Sequence, residues 1–473
     1  MTTPGTTPRE AVFGGLDVKY EARVDELVVP DLSGEPGARY VCTSYTVPGA
    51  SERPVIFAFN GGPGSSSVWL HLGIGPRRVA DADLLQPRMA PPFGLVDNPD
   101  CVLDCADLVF IDPPGTGFSR VLNDERQADF YGVVPDAIAT MRFITQWSRR
   151  NGRENSPKFL LGESYGAVRA ATVAKLSAGG PTTTGRLEPL ALNGVILMGP
   201  ALQFGNGANL AHVTTLPSLA ATAWYHDRLP DRPADVREHV EAASRFAGED
   251  YLTALFAGSR LDRRRREAVA ARLHELIGLA PEVIAEHDLR LTPQRFASLL
   301  LRDRGEQVGM YDSRYRLPLA GAGGDPVGDD PAMGQYVPSF AGAIDGYLRE
   351  ELGVERDDDY RTIEFARVFF RWDYGDGARL PAGNYAADLA VALRRNRDLR
   401  VLLCVGMYDL VTTLGETNYA LAQAPIDPER VSVRTYESGH MPYLGRESRE
   451  RLAADLRAVV TAPTGEEPPC VSQ

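Results

Sequence analysis

Three residue types in this chain sit at spacings that could break an acyl bond: a serine between glycines, a late aspartate and a late histidine. Leu160-Leu-Gly-Glu-Ser-Tyr-Gly166 contains the pattern Gly-x-Ser-x-Gly. An apolar run starting at Phe159 leads into it, and the helix-forming stretch Ala167 to Leu176 follows. A serine on a sharp strand-to-helix turn projects its hydroxyl beyond the sheet edge, and small glycines let strand and helix approach closely. The same pattern can be an ordinary connection with a capping serine. The strand before it and the helix behind it favour Ser164 as a nucleophile.

A serine hydroxyl is inert at neutral pH without a base, and the base needs a carboxylate to orient it. On such sheets the acid and then the histidine follow the serine along the chain. Of the seven histidines, His71 precedes the serine. His212, His226, His239, His274 and His287 fall in a helix-rich, charge-rich stretch, where exposed surface is the expectation for each. His440 remains, in Tyr-Glu-Ser-Gly-His-Met-Pro, directly after the β-like Val431-Ser-Val-Arg-Thr-Tyr436. Val401-Leu-Leu-Cys-Val405 is an uninterrupted apolar run, as a parallel strand buried on both faces should be. It ends in Gly406-Met-Tyr-Asp409, so Asp409 emerges at the carboxyl end of a central strand, where α/β sheets place their chemistry. A lone loop aspartate more often turns or caps the chain. Three residues in the right order on three strand ends favour a triad.

A fourth element is Phe57-Ala-Phe-Asn-Gly-Gly-Pro-Gly-Ser-Ser-Ser67. The apolar strand Val55 to Phe59 stops at Asn60 and enters a glycine-rich turn, which lets backbone N–H groups converge. That suits an oxyanion hole, with one donor from the residue after the nucleophile and another from this earlier loop. The donors are assigned to Tyr165 and Gly62. A phosphate-binding loop is the rival, but no Gly-Lys-Ser/Thr ending follows and the Gly-x-Gly-x-x-Gly spacing is missing.

Together, Asn60-Gly-Gly-Pro-Gly-Ser-Ser66, Asp112-Pro-Pro-Gly-Thr-Gly-Phe-Ser119, Gly162-Glu-Ser-Tyr-Gly166, Gly406-Met-Tyr-Asp409 and Gly439-His-Met441 resemble the serine carboxypeptidases, within the α/β-hydrolases. The motifs stand in the family's order and span most of the chain. The continuation Ser67-Val-Trp-Leu-His-Leu72, with Arg169 after the elbow, is similar to the bacterial branch. The resemblance implies an α/β-hydrolase fold: a mostly parallel central sheet flanked by helices, with an inserted helical cap. It implies release of single amino acids from peptide carboxyl termini through an acyl-enzyme, with no metal or cofactor. It also implies that Asn60, Gly61 and Glu163 hold the substrate's terminal carboxylate. A glutamate facing a carboxylate requires a proton on one of them, and the family accordingly favours acidic pH. Two departures stand out. Many relatives carry a second glutamate shortly before the Gly-Pro that matches Gly75-Pro76, where this chain has Gly73 and Ile74. Many also read Gly-Asp-x-Asp where this chain reads Gly-Met-Tyr-Asp. Both put substrate preference in doubt, and three other readings stay open: an acyltransferase, an esterase or a non-catalytic binding protein on the same scaffold.

The net charge of −13 argues against nucleic acid as a partner. The basic run Arg260 to Arg266 reads as a solvated helix face. No stretch of about 18 apolar residues spans a membrane, and the first residues lack a charged-then-apolar leader pattern. The expected location is therefore cytoplasmic. The expected partner is a peptide or small acyl substrate with a free carboxylate. Of the cysteines, Cys101 and Cys105 are close enough to pair, while Cys404 reads as a buried small apolar residue. Residues 1–10 are expected to be disordered, 11–204 and 373–462 to form the catalytic domain, 205–372 to be a mostly helical cap, and 463–473 a flexible tail.

Overall fold

The computed structural model describes residues 6–177, 179, 188–205, 207–375, 377–378 and 382–462. Its centre is a ten-stranded sheet. Thr7–Phe13, Leu16–Pro30 and Pro36–Thr46 form an antiparallel meander at one edge. Pro36–Thr46 pairs antiparallel with Asp107–Asp112 and with the short Arg120–Val121. Beyond that junction the sheet is parallel, in the order Asp107–Asp112, Val55–Phe59, Lys158–Glu163, Gly194–Met198, Arg400–Gly406 and Val431–Tyr436. The carboxyl ends of the parallel strands therefore share one rim.

The apolar runs form strands here because helices cover both faces. In Val55–Phe59 every residue is buried. Val55, Phe57 and Phe59 join the core on one face, and Ile56 and Ala58 the core on the other, as the period of two requires. The first core takes in the helices Val133–Arg150, Gly166–Ser177 and Ala386–Arg395, with Trp147 edge-on to Phe57. The second takes in Val68–Ile74, Met333–Gly346 and Arg446–Thr461. Most helices between residues 208 and 301 close a third apolar cluster of their own, through Leu216, Leu219, Leu273, Leu276 and Phe296.

Several expectations need correction. Thr7–Phe13 is a strand in full register with Leu16–Pro30, so order begins within the segment expected to be disordered. The five middle histidines are not exposed. His226 and His239 are buried, and their ring nitrogens meet Ser313 O at 2.6 Å and Leu276 O at 2.9 Å. His212 and His274 are half-buried against the carbonyls of Leu291 and Leu279. Each of these four rings meets a backbone carbonyl, on a helix for His239 and on a turn or loop for the other three, which charge density along the chain does not reveal. Among the described residues Cys101 and Cys105 are free thiols, as are Cys42 and Cys404. Cys470 and the expected tail 463–473 lie outside the described residues. Among the described residues no helix is long and apolar enough to cross a membrane.

Candidate active site

The fully buried strand Lys158–Glu163 delivers the chain to Ser164, whose φ of +59° lies in the left-handed region. A non-glycine residue there is strained and must be held by its surroundings. Three backbone bonds hold it: Ser164 N donates to Met198 O and Ala167 N to Ser164 O, both at 2.9 Å, and Ala201 N donates to Ser164 O at 3.3 Å. The flanking glycines are steric necessities. A Cβ on Gly162 would stand 2.1 Å from Gly166 O, and one on Gly166 2.8 Å from Phe59 O. The half-buried Ser164 is thereby lifted to the sheet rim, where it lines a cavity of ≈ 290 Å³.

The acid and the histidine follow the last two parallel strands, Arg400–Gly406 and Val431–Tyr436. His440 Nδ1 lies 2.7 Å from Asp409 Oδ2, with both side chains almost fully buried. Asp409 is further fixed by Val411 N (2.7 Å), Thr412 N (3.0 Å) and the Thr412 hydroxyl (2.6 Å). With Nδ1 committed to the carboxylate, the other ring nitrogen, Nε2, is buried without a hydrogen-bond partner. His440 lines the same cavity as Ser164. Burial alone would depress the imidazole pKa, but the charge and hydrogen bond of Asp409, with the charge of Glu163, hold it above the ordinary value. Gly199, at φ +46°, backs the ring so closely that a Cβ would sit 2.8 Å from His440 Nδ1. By contrast, His71 is enclosed by Tyr45, Phe110 and Tyr347, and burial pushes its pKa down to about 3.

The glycine-rich turn lies directly on the elbow. A Cβ on Gly61 would be 2.4 Å from Tyr165 N, and Gly62 turns at φ +104°. Among the described residues neither Gly62 N–H nor Tyr165 N–H donates to a backbone carbonyl. Asn60 bridges the two segments: its Nδ2 donates to Glu163 Oε1 at 2.6 Å, and its Oδ1 accepts from Leu70 N at 3.2 Å. Behind it the buried Arg169 donates to Asn60 O at 2.8 Å and to Asp136 Oδ2 at 2.6 Å, tying the elbow helix to the turn.

Glu163 faces the cavity with its other oxygen, Oε2, buried and unpartnered. Burial raises its carboxyl to about 7, against the smaller opposing pull of His440, Tyr443 and Asn60. It therefore carries a proton well above the pH at which ordinary glutamates lose theirs. The cavity wall opposite is apolar, with Trp69, Met333, Ile363, Phe365, Phe369 and Phe370. The last four come from a strap attached to the glycine turn, through Ser66 N to Thr362 O (2.9 Å) and Glu364 N to Gly64 O (2.8 Å).

Thus Asn60, Gly61, Gly62, Glu163, Ser164 and His440 line one cavity, with Asp409 behind His440 and Tyr165 beneath the turn. Sequence reasoning missed Thr412, Tyr443 and the strap. Thr412 is three residues from Asp409, a signal that was available; the other two reach the site only through long-range packing.

The serine carboxypeptidase family model matches residues 40–243, which contain the glycine turn, Glu163 and Ser164. Serine carboxypeptidase-like 25 of Arabidopsis thaliana is 25% identical over 250 residues, covering 49% of this chain and 48% of that protein. Serine carboxypeptidase-like 34 of the same plant is 32% identical over 117 residues, covering 24% of this chain and 22% of that protein. The chain thus spans about half the length of the first curated relative and about a fifth of the second. Among solved structures, the prohormone-processing carboxypeptidase Kex1(delta)p of Saccharomyces cerevisiae superposes with a TM-score of 0.55 at 14% identity, covering 93% of this chain and 90% of that one. That likeness shows a shared fold. Over residues 40–243 the chain is thus similar to the serine carboxypeptidases, and it shares the fold of Kex1(delta)p.

Proposed function

We propose that this protein is a serine carboxypeptidase that hydrolyses the last peptide bond of its substrate. The observation that carries the reading is the neighbourhood of Ser164: an aspartate-held histidine on one side and a buried, protonatable glutamate on the other, in one cavity. Ser164 Oγ attacks the scissile carbonyl as His440 Nε2 takes its proton, while Asp409 holds the tautomer and stabilises the imidazolium. The amides of Gly62 and Tyr165 bind the oxyanion. His440 then passes the proton to the leaving amine, the terminal amino acid departs, and water repeats the sequence on the acyl-enzyme. Asn60, Gly61 and protonated Glu163 take the terminal carboxylate, so that only the final bond reaches Ser164. Within residues 205–372, the aromatic strap and Met333 shape the apolar part of the cavity, and the helices between 208 and 301 stand as a cap beside it.

The test is hydrolysis of a blocked dipeptide against its C-terminal amide and methyl ester, from about pH 4.5 to 8 to bracket Glu163. The free acid should be preferred, most strongly on the acid side, and Ser164→Ala should lower kcat by about 10⁴-fold or more without altering the fold. Wild-type turnover by Ser164→Ala would overturn the assignment. Ester cleavage without peptide cleavage would replace it with the esterase or acyltransferase reading.

A further inference from the structure

Besides His440 Nε2, two buried polar atoms at the site have no hydrogen-bond partner, Glu163 Oε2 and the hydroxyl of Tyr443. Their side chains are 2% and 0% exposed. They are close enough to act on one another, with Asn60 as a shared neighbour. Tyr443 comes from the base loop, three residues beyond His440, and its ring fills the space that a side chain at Gly73 would need. A Cβ there would lie 2.4 Å, 2.6 Å and 2.9 Å from three of its ring carbons. The position that offers no acid in sequence is therefore occupied in space by a phenol.

We propose that Tyr443 is a specificity-determining residue, whose hydroxyl is the second polar group for the substrate's terminal carboxylate and for Glu163. This rests on the reading that Glu163 meets that carboxylate. A phenol differs from a second carboxyl in what it can exchange. Burial drives Tyr443 far above its ordinary ionisation range, so it keeps its proton and only donates. One proton, on Glu163, then decides whether the carboxylate is accepted, in place of a proton shared by two acids. The groups facing Glu163 are Asn60 from the glycine turn, Asp409 from the acid loop, His440 and Tyr443 from the base loop, and Tyr311. Of these, the two tyrosines can lose their polar atom with the least change of shape, and Tyr443 is the one whose hydroxyl acts directly on Glu163. Donation to Glu163 favours the ionised carboxylate, so removing the donor lets Glu163 keep its proton to higher pH.

The experiment compares wild type, Tyr443→Phe and Glu163→Gln on the blocked dipeptide free acid and its methyl ester across the same pH range, with thermal unfolding as the folding control. In Tyr443→Phe the free-acid to ester ratio of kcat/KM should fall roughly tenfold, mainly through KM, because a hydrogen bond to a charged group is lost. The alkaline limb of the free-acid profile should move to higher pH. If Glu163→Gln changes the ratio while Tyr443→Phe changes neither ratio nor limb, the role of Tyr443 is overturned. If Glu163→Gln leaves both the ratio and its pH dependence unchanged, the carboxylate-binding reading itself fails. Should Tyr443→Phe not fold, Gly73→Ala, which forces the ring aside, must lower the same ratio or the inference falls.

Discussion

At the scale of single residues, the site depends on side chains held where they would not rest alone. The buried Arg169–Asp136 pair carries Asn60 and through it the glycine turn. Arg169→Ala would leave Asp136 buried without its partner, and denaturant unfolding should show a loss of about 3–5 kcal/mol. Asp409→Asn should leave the structure in place and lower kcat by about 10⁴-fold, since the imidazole loses its orienting acceptor. The order of serine, aspartate and histidine was readable because the first two follow apolar runs that read as buried strands and the histidine follows an alternating, β-like run. Tyr443 was not readable. Nothing in Met-Pro-Tyr-Leu says that its ring crosses to Gly73, because that contact belongs to packing between distant segments.

At the scale of elements, strand ends and turns were legible while connections between packed helices were not. Val55–Phe59 and Val431–Tyr436 form at the predicted residues, and the acid strand Arg400–Gly406 extends one residue beyond each end of its apolar run. The middle histidines were misread because helical periodicity shows which face is apolar but not which carbonyls need a donor. Gly199, just past Gly194–Met198, shows how an element's end tunes chemistry. Gly199→Ala would push against the His440 ring, and kcat should fall at least tenfold with little change in KM, read from steady-state kinetics. The aromatic strap also acts as a unit. Phe370 is 69% exposed although it lines the cavity, and Phe370→Ala should raise KM several-fold for bulky apolar substrates.

At the scale of the molecule, pH acts on folding as well as on the site. Glu163 is buried and Glu416 half-buried, and desolvation raises each from 4.5 to about 7. In the unfolded chain they ionise near the ordinary value, so between these limits the folded state holds more protons. Their contribution therefore favours folding on the acid side and is lost progressively as pH rises through about 4.5 to 7. Glu416→Gln should flatten the fall of Tm across that window, measured by thermal unfolding from pH 5 to 8. The overall layering was legible from the apolar runs and the helices between them. The join between the antiparallel meander and the parallel strands was only partly so, since a neighbour across a sheet is fixed by twist and packing rather than by local sequence.

Glu163 and Ser164 are consecutive residues at a closely packed turn, with Gly61 set against the amide that follows them. On the proposed carboxypeptidase reading, the elbow is a gauge one residue long, with its zero at the recognised carboxylate and its mark at the attacked carbonyl. A peptide ending in a β-amino acid would seat its carboxylate and present its last amide bond beyond the mark, and would occupy the site without being cut.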